Sequence, residues 1–481
     1  MTIEEITGVS GAEQIVKFIL SSKKDEKYVE NLKKLKEEWN VSTHRVITDK
    51  KFLPDKEIKD VKGNITGTRF VNRISIPYQK TIVNRAVSFG FANEVKIDDN
   101  ARDDKNLSEI TKAVKRVLFE NKEVSFNRKI ARDLYRSKET AEIWYFQRTD
   151  TEHENYGFKT PYKIKCMQFS LWKDDTLYPI FDQYEDLKAF ARGYSIAIEG
   201  KLTAVYDVYT DTETRRFAKT ESGWTEVQVE NLGIQAINKI PVVFAKQEQA
   251  EWEDVRNNIE RLELLLSKHA EINDYHASPK TFIKGEVKSV PIAGESNPIL
   301  KGGSDDDVKI LSWQHAPESV KLEIENLIEN IHKFTQTPDV SFNSFKSLNQ
   351  VSGVMLKMLF MDAHLKVMEK NEIWNEYFTR RYNIIKAMLG ALNPAWSTLT
   401  PMLELSPVIK PFMIDDEKSI VEMITTANGN KPIISHKTSI QMAGFVENVD
   451  EELALIAQEE DIQMIKDSSS PVMVNAIPAE I

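Results

Sequence analysis

The sequence has 481 residues, 41% of them apolar and 29% charged, which is the composition of a soluble globular protein with two to four domains. The net charge of −10 argues against a nucleic-acid clamp, because such a protein needs a basic surface to neutralise phosphates. The single cysteine, Cys166, excludes a disulfide framework, and no apolar run approaches the roughly 18 residues that a membrane span requires.

The first half of the chain predicts helices followed by strands. Apolar residues at helical spacing predict two surface helices over 12–40, and the polar, glycine-broken residues 40–68 predict an extended arm or loop. Three further helices are predicted within 78–136. From 141 to 244, β-branched and aromatic runs separated by turn residues predict an antiparallel layer of short strands.

Two apolar stripes at helical spacing follow, one over 252–269 and one over 320–334. Between them, residues 278–313 contain three prolines and four glycines, so this segment cannot continue either helix and should fold as a small lobe. The stripes predict two helices that pack along a common seam. The seam residues are Val255, Ile259, Leu262, Leu266, Ile324, Leu327 and Ile331.

The rest of the chain predicts helices only. Residues 354–389 lack proline and predict a helix about 55 Å long. Four prolines then mark a boundary, and short helices are predicted at 417–426, 438–443 and 451–465. Residues 415–481 hold 13 acids against four lysines, so the acidic surplus is concentrated at this end. The predicted fold class is α+β, predominantly helical.

The sequence offers no support for an enzyme. It has no Walker loop, no His-Glu-x-x-His motif and no cysteine cluster, so we expect no nucleotide hydrolysis, no zinc site, no catalytic residue and no cofactor. Asp305, Asp306 and Asp307 follow two glycines and are a weak candidate for a cation site. A solvated turn explains them better, because the downstream acidic ligand of a calcium loop is missing.

The most distinctive stretch is 331–359, where a predicted helix ends before Pro338, a polar loop follows and a new helix starts at Gly353. Shorter motifs lie within residues 72–84 and 178–192. In their order between residues 70 and 390, these motifs and predicted elements resemble the portal proteins, the head-to-tail connectors of long-tailed, double-stranded DNA bacteriophages.

The resemblance implies the phage portal fold and divides the chain into the regions of that fold. These are the N-terminal helices and arm (1–69), wing helices and antiparallel β layer (70–250), first stem helix (251–277), clip (278–314), second stem helix (315–337), tunnel loop (338–352), long wing helix and proline-rich linker (353–414), crown (415–467) and a disordered tail (468–481).

The resemblance also implies a function and partners. Copies would form a homo-oligomeric ring, usually a dodecamer, at one capsid vertex, through which double-stranded DNA is packaged and ejected. The ring would meet the terminase large subunit of the packaging motor, the head completion or adaptor proteins, and the major capsid and scaffolding proteins. It would be found in the virion after assembly in the host cytoplasm, and the sequence start, which lacks signal-peptide features, fits synthesis in the cytosol without a membrane partner.

Charge and polarity suggest how such a ring would handle DNA without sequence specificity. Both stem segments are net negative, with six acids against three bases in 251–272 and four against two in 317–336, so a wall of like charge should let DNA slide. The tunnel loop is mostly neutral and polar, with one lysine for intermittent phosphate contact. Its predicted DNA-facing residues are Phe342, Asn343, Ser344, Phe345, Lys346, Ser347, Asn349 and Gln350.

Two other interpretations remain open at this point. A cytosolic coiled-coil adaptor, a binding module without a DNA channel, would use the seam helices as an antiparallel hairpin and the long helix as a partner surface. A metal-dependent hydrolase would use residues 305–307 or carboxylates that sequence alone cannot pair.

Overall fold

The computed structural model describes residues 1–22, 26–60, 62–101, 104–198, 200–227, 234–276, 280–284, 307–311, 317–339, 358–413, 417–429, 432–446 and 448–468. The chain forms two compact units. The first comprises Met1–Val340 and Met361–Phe412, and the second comprises Ser341–Phe360 and Met413–Ile481.

Ten α-helices are described in the first unit, and they include the two predicted within 12–40 and the three predicted within 78–136. They are α1 (Ile3–Thr7), α2 (Ala12–Ser22), α3 (Glu26–Trp39), α4 (Arg45–Thr48), α5 (Tyr78–Phe91), α6 (Lys105–Glu120), α7 (Glu123–Ser137), α8 (Arg256–His276), α9 (Pro317–Phe334) and α10 (Met361–Leu392).

The strands are all antiparallel to their neighbours, as predicted. They are β1 (Lys56–Lys59), β2 (Ile65–Arg69), β3 (Lys96–Asp99), β4 (Glu139–His153), β5 (Thr160–Phe169), β6 (Thr176–Phe181), β7 (Leu187–Ile198), β8 (Lys201–Tyr209), β9 (Thr214–Thr220), β10 (Gly223–Val227), β11 (Val242–Lys246), β12 (Lys280–Lys284), β13 (Asp307–Leu311) and β14 (Leu405–Val408). The larger sheets have the strand orders β10-β9-β8-β7-β6 and β11-β4-β5, and the other strands form the pairs β1-β2, β12-β13 and β14-β3.

The main hydrophobic core is built around α10. Trp374, Phe378 and Tyr382 recur at a spacing of four residues on one helix face and are buried to within 2% exposure. The same core contains buried residues of α5, α6, α7 and α8. The helix extends to Leu392, three residues beyond the predicted end, and the predicted start at residue 354 lies outside the described residues.

The expectation of an arm or loop over 40–68 was incomplete. The structure has a short helix, α4, and a hairpin formed by β1 and β2. The Asp60 carboxylate accepts hydrogen bonds from the backbone N–H groups of Lys62 and Asn64, and Gly63 has a φ of +87° that glycine adopts without a steric penalty. This turn closes the hairpin, and its signal was hidden within a generally polar segment.

The described part of the second unit is helical, which confirms the three predicted helices. These are α11 (Glu417–Asn428), α12 (His436–Ala443) and α13 (Val449–Ser468). The Ser435 side chain caps α12 by accepting a hydrogen bond from the backbone N–H of Thr438, and Gly444 ends this helix in the left-handed conformation. The predicted tail falls almost wholly outside the described residues.

Candidate functional site

Helices α8 and α9 pack against each other, and the predicted seam residues lie at this contact and in the core below it. Val255, Ile259, Leu262 and Ile331 are at most 1% exposed, whereas Leu266, Ile324 and Leu327 are partly buried against the same cluster. Arg261 and Glu323 form an ion pair across the two helices at 2.7 Å. The pairing of the helices is therefore observed within one chain, and the role of their seam as a stem stays a prediction.

A polar stripe of α8 binds a segment that we call the arm, residues 44–76. The stripe consists of Glu260, Glu263, Ser267, Glu271 and Asp274, which are spaced three or four residues apart and so share one helix face. The Ser267 hydroxyl accepts a hydrogen bond from the backbone N–H of Ile74 at 2.9 Å. Because the apolar seam points elsewhere on the same helix, α8 lies between the arm and α9.

Glu271 is the strongest anchor of the arm. Its carboxylate accepts hydrogen bonds from the backbone N–H of Asn72 at 2.8 Å, from Arg69 at 2.6 Å and from Lys56 at 3.1 Å. The hydrogen bond from Asn72, aided by the two cations, lowers the pKa of Glu271 to about 2. One carboxylate thus ties both strands of the β1-β2 hairpin to α8.

A second anchor is the buried pair of His44 and Glu263. The Nδ1 atom of His44 lies 2.6 Å from the Glu263 carboxylate and its Nε2 atom lies 2.8 Å from the backbone carbonyl of Glu38. Glu263 also accepts a hydrogen bond from the backbone N–H of Ile76 at 2.8 Å. Both ring nitrogens of His44 therefore lie within hydrogen-bond distance of an oxygen atom.

A buried charge cluster connects three parts of the chain: the residues just before α8, the C-terminal end of α9, and α10. The side chain of Glu251, 3% exposed, lies 2.5 Å from Lys366 and 2.9 Å from Lys370. Burial acts to raise the pKa of Glu251, but the two lysines outweigh it and hold the pKa below its usual value. Lys366 also donates to the backbone carbonyl of Thr335 at 2.8 Å, which satisfies a carbonyl at the end of α9.

The chain leaves α9 through a tight helix-ending turn. The N–H of Thr337 donates to the carbonyl of His332, the N–H of Gln336 donates to that of Lys333, and Gln336 has a φ of +50°. This is the hydrogen-bond pattern of a Schellman motif with glutamine in the left-handed position. Pro338 follows, and its carbonyl accepts a hydrogen bond from Arg85 at 2.9 Å. This contact fixes the direction in which the chain leaves α9.

The acid count of the first predicted stem segment, on which the expected like-charge wall rests, overstates its unpaired negative charge. Four of its six acids form ion pairs with Lys or Arg inside the subunit and a fifth, Glu263, contacts His44, so they present little net charge to an outside ligand. The pairs are Glu251 with Lys366 and Lys370, Glu253 with Lys138 and Arg256, Glu260 with Arg45, Glu263 with His44, and Glu271 with Lys56 and Arg69. The sequence count missed this because the neutralising bases lie up to about 215 residues away.

The other predicted site residues are placed as follows. All eight residues predicted for the tunnel loop lie outside the described part of the chain, as do Asp305 and Asp306. Asp307 begins β13 and pairs with Lys284 of β12. Among the described side chains, no group of three or more potential metal ligands is present. No helix within the described ranges combines the length and apolar character needed to cross a bilayer.

The contacts of the arm were missed by the sequence analysis, although a signal for them existed. The polar residues of α8 recur at helical spacing just as its apolar residues do, and a second ordered stripe indicates that another face is also covered. The identity of the covering segment could not be read from this spacing, because nothing local links α8 to residues 44–76.

One family model matches most of the chain. Residues 22–465 match the family described as phage portal protein, SPP1 Gp6-like. No curated protein matches the sequence. Among solved structures, the neck of an empty GTA particle computed with C6 symmetry is 8% identical, covers 84% of this chain and 95% of that chain, and gives a TM-score of 0.39. The virion of a native gene transfer agent (GTA) particle gives 9% identity, 77% and 89% coverage, and a TM-score of 0.34.

Proposed function

The chain belongs to the SPP1 Gp6-like family of phage portal proteins, and from this premise we propose that its copies form a ring at one capsid vertex. Double-stranded DNA would pass through this ring during packaging and ejection. The observation that carries the proposal is the continuous family match over residues 22–465, which includes α8, α9 and α10.

We assign the parts of the ring by the expected order of regions. Residues 251–277 and 315–337 would be the stem, with α8 and α9 as its helices, 278–314 the clip, 338–352 the tunnel loop and 415–467 the crown. The wing would comprise 70–250 and 353–414. The clip would dock the terminase large subunit and then the head completion proteins, and a dodecamer is the expected assembly.

Passage of DNA would depend on weak, non-specific contact. Each copy has a net charge of −10, so the charge of a ring has the same sign as the phosphate backbone. The ring would therefore repel DNA instead of trapping it. Because most acids of α8 are paired inside the subunit, the repulsion of DNA would depend on the net charge of the whole ring and not on α8 alone. The motive force for packaging must then come from the motor.

The test is the assembly state and shape of the purified protein. Native mass spectrometry should show one closed oligomer, with twelve copies expected, and negative-stain images should show rings with a central hole. A protein that remains monomeric or dimeric at all concentrations, with or without scaffolding protein, would refute the portal assignment.

The adaptor alternative is less consistent with the packing of α10. That adaptor needs its long helix available to a partner, but Trp374, Phe378 and Tyr382 on one face of α10 are buried in the core of the same chain. The hydrolase alternative would require cleavage of DNA that depends on a divalent metal, and the same purified protein can be assayed for it.

A further inference from the structure

Helix α9 exposes a stripe on the face turned away from its buried residues. Glu318, Leu322, Glu325 and Glu329 are spaced by four, three and four residues and therefore lie on one face. Leu322 is 58% exposed and all three glutamates are exposed. We call these four residues the outer stripe. It is an apolar side chain surrounded by negative charge, with nothing from the described part of its own unit covering it.

The arm carries the opposite charge. Residues 45–76 contain eight lysines and arginines against four acids. Lys51 and Lys59 are exposed, and Lys59 also lies 3.1 Å from Glu57 of the same strand. The arm therefore presents a basic surface on one side of α8, while the outer stripe presents an acidic surface on the side of α9.

The hairpin of the arm also exposes apolar side chains. Ile58 is 49% exposed, Ile65 59% and Phe70 75%. Every residue of β1 and β2 except Gly67 is exposed, and among the described strands these two pair only with each other. A two-stranded hairpin is marginal by itself in water, and Glu271 anchors only its base. Its outer surface has the composition of a contact surface for another protein.

The arm and the outer stripe lie on different sides of the α8-α9 pair, so one copy cannot bring them together. We propose that the arm of one copy docks on the outer stripe of the next copy, in a head-to-tail contact. Such a heterologous contact closes into a ring when the rotation between neighbours is a whole fraction of a turn. This inference rests on the proposed function, because it names the partner that each copy meets in the ring.

A neighbouring copy fits the arm better than DNA does. The bases Lys56 and Arg69 are already bound by Glu271, and three apolar side chains interrupt the positive surface. Duplex DNA would offer phosphates to the bases but no apolar surface to Ile58, Ile65 and Phe70. The outer stripe offers both opposite charge and Leu322.

The experiment is a charge swap across the proposed contact. The double variant Lys51→Glu/Lys59→Glu, and separately Glu318→Lys/Glu329→Lys, should each raise the concentration for half-maximal assembly by about tenfold or more, since like charges then face each other. Combining all four substitutions should restore most of the assembly. The matched control is Lys112→Glu/Lys115→Glu on the exposed face of α6, which makes the same change in net charge and should leave assembly unchanged.

A cross-link identifies which copies touch. In a Cys166→Ser background, one tagged chain carries Phe70→Cys and a differently tagged chain carries Leu322→Cys. A short bismaleimide should join chains with different tags when the two are mixed, and should produce little dimer from either chain alone.

The outcomes separate this inference from the proposed function. Normal assembly of both charge variants, or rings that yield no mixed-tag product, would overturn the docking contact and leave the portal assignment standing. Loss of DNA binding by the arm variant with unchanged assembly would also overturn it, since the arm would then face DNA. A parent protein that never assembles would refute both the docking contact and the portal assignment.

Discussion

Arg381 is the side chain that ties α10 to the β layer. Its guanidinium makes two hydrogen bonds of 2.6 Å to the Glu142 carboxylate of β4 and one of 2.6 Å to the Asn127 amide oxygen of α7. The side chains of Arg381 and Glu142 are at most 1% exposed. The bidentate geometry satisfies both charges, so the pair specifies how helix and sheet dock.

Breaking this pair should be costly because it leaves a buried charge. We expect Arg381→Leu to lower the free energy of unfolding by about 3–5 kcal/mol. Arg381→Leu combined with Glu142→Leu should regain much of the loss, since neither charge of this pair then remains buried. Urea unfolding followed by tryptophan fluorescence measures both variants. The control is Lys33→Ala at an exposed ion pair, which should cost less than about 1 kcal/mol. Equal losses in the single and double variants would contradict this account.

Glu271 gives a prediction with a defined pH range. Its pKa is lowered from 4.5 to about 2 in the folded protein, so its charged form stabilises the fold fully above about pH 4.5. That contribution is lost as the pH falls toward 2, where the carboxylate is protonated. The urea midpoint of Glu271→Gln should therefore lie below that of the parent at neutral pH, and the difference should shrink between pH 4.5 and 2. A difference independent of pH in this range would show that the charge of Glu271 is not what holds the arm.

At the scale of elements, α9 is held by one apolar face. Ile331 is fully buried on this face, whereas Leu322 on the same helix is 58% exposed. Ile331→Asp would bury an unpaired carboxylate, so we expect it to lower the free energy of unfolding by more than about 2 kcal/mol and to abolish ring formation. Ser319→Asp, at an exposed position of the same helix outside the outer stripe, is the matched control and should unfold within about 0.5 kcal/mol of the parent. Circular dichroism during thermal unfolding compares the two, and identical curves would refute the packing assigned to α9.

The predicted elements also show where local patterns are sufficient. The spacing of Ile259, Leu262 and Ile331 predicted two packed helices, because burying an apolar stripe requires a neighbour whatever its identity. The pairing of β14 with β3 could not be predicted in the same way. Pro407 faces Ile97 across about 300 residues of chain, and a proline-rich segment carries no local sign of its partner strand.

At the scale of the whole molecule, the tunnel loop supplies the test of DNA handling. Lys346 is its single base, and in a ring each copy would contribute one to the bore. Lys346→Glu should impair DNA packaging or retention while leaving assembly intact, because it replaces a phosphate contact with a repulsive charge. Packaging into empty capsids measured by DNase protection, alongside native mass spectrometry of the ring, checks both parts. Loss of assembly would instead make this position structural.

The charge of the molecule shows the limit of reading residues without their partners. Glu251 and Glu271 contribute to an acidic excess in the sequence, yet each meets cations that the fold brings from distant segments. Charge interactions depend on separation in space and on burial, and neither is a property of position along the chain.

The sequence by itself determined the α+β class, the antiparallel strands and the two apolar stripes of the seam. It also determined the family resemblance, which the family match over residues 22–465 confirms. These follow from the periods of helix and strand, which are local and survive in a linear pattern. Only the tertiary structure decided that the arm covers α8, that Glu271 and Glu251 are neutralised within the subunit, and that three exposed acids share one face of α9. Those features depend on contacts between residues far apart in the chain, which form only after the elements pack.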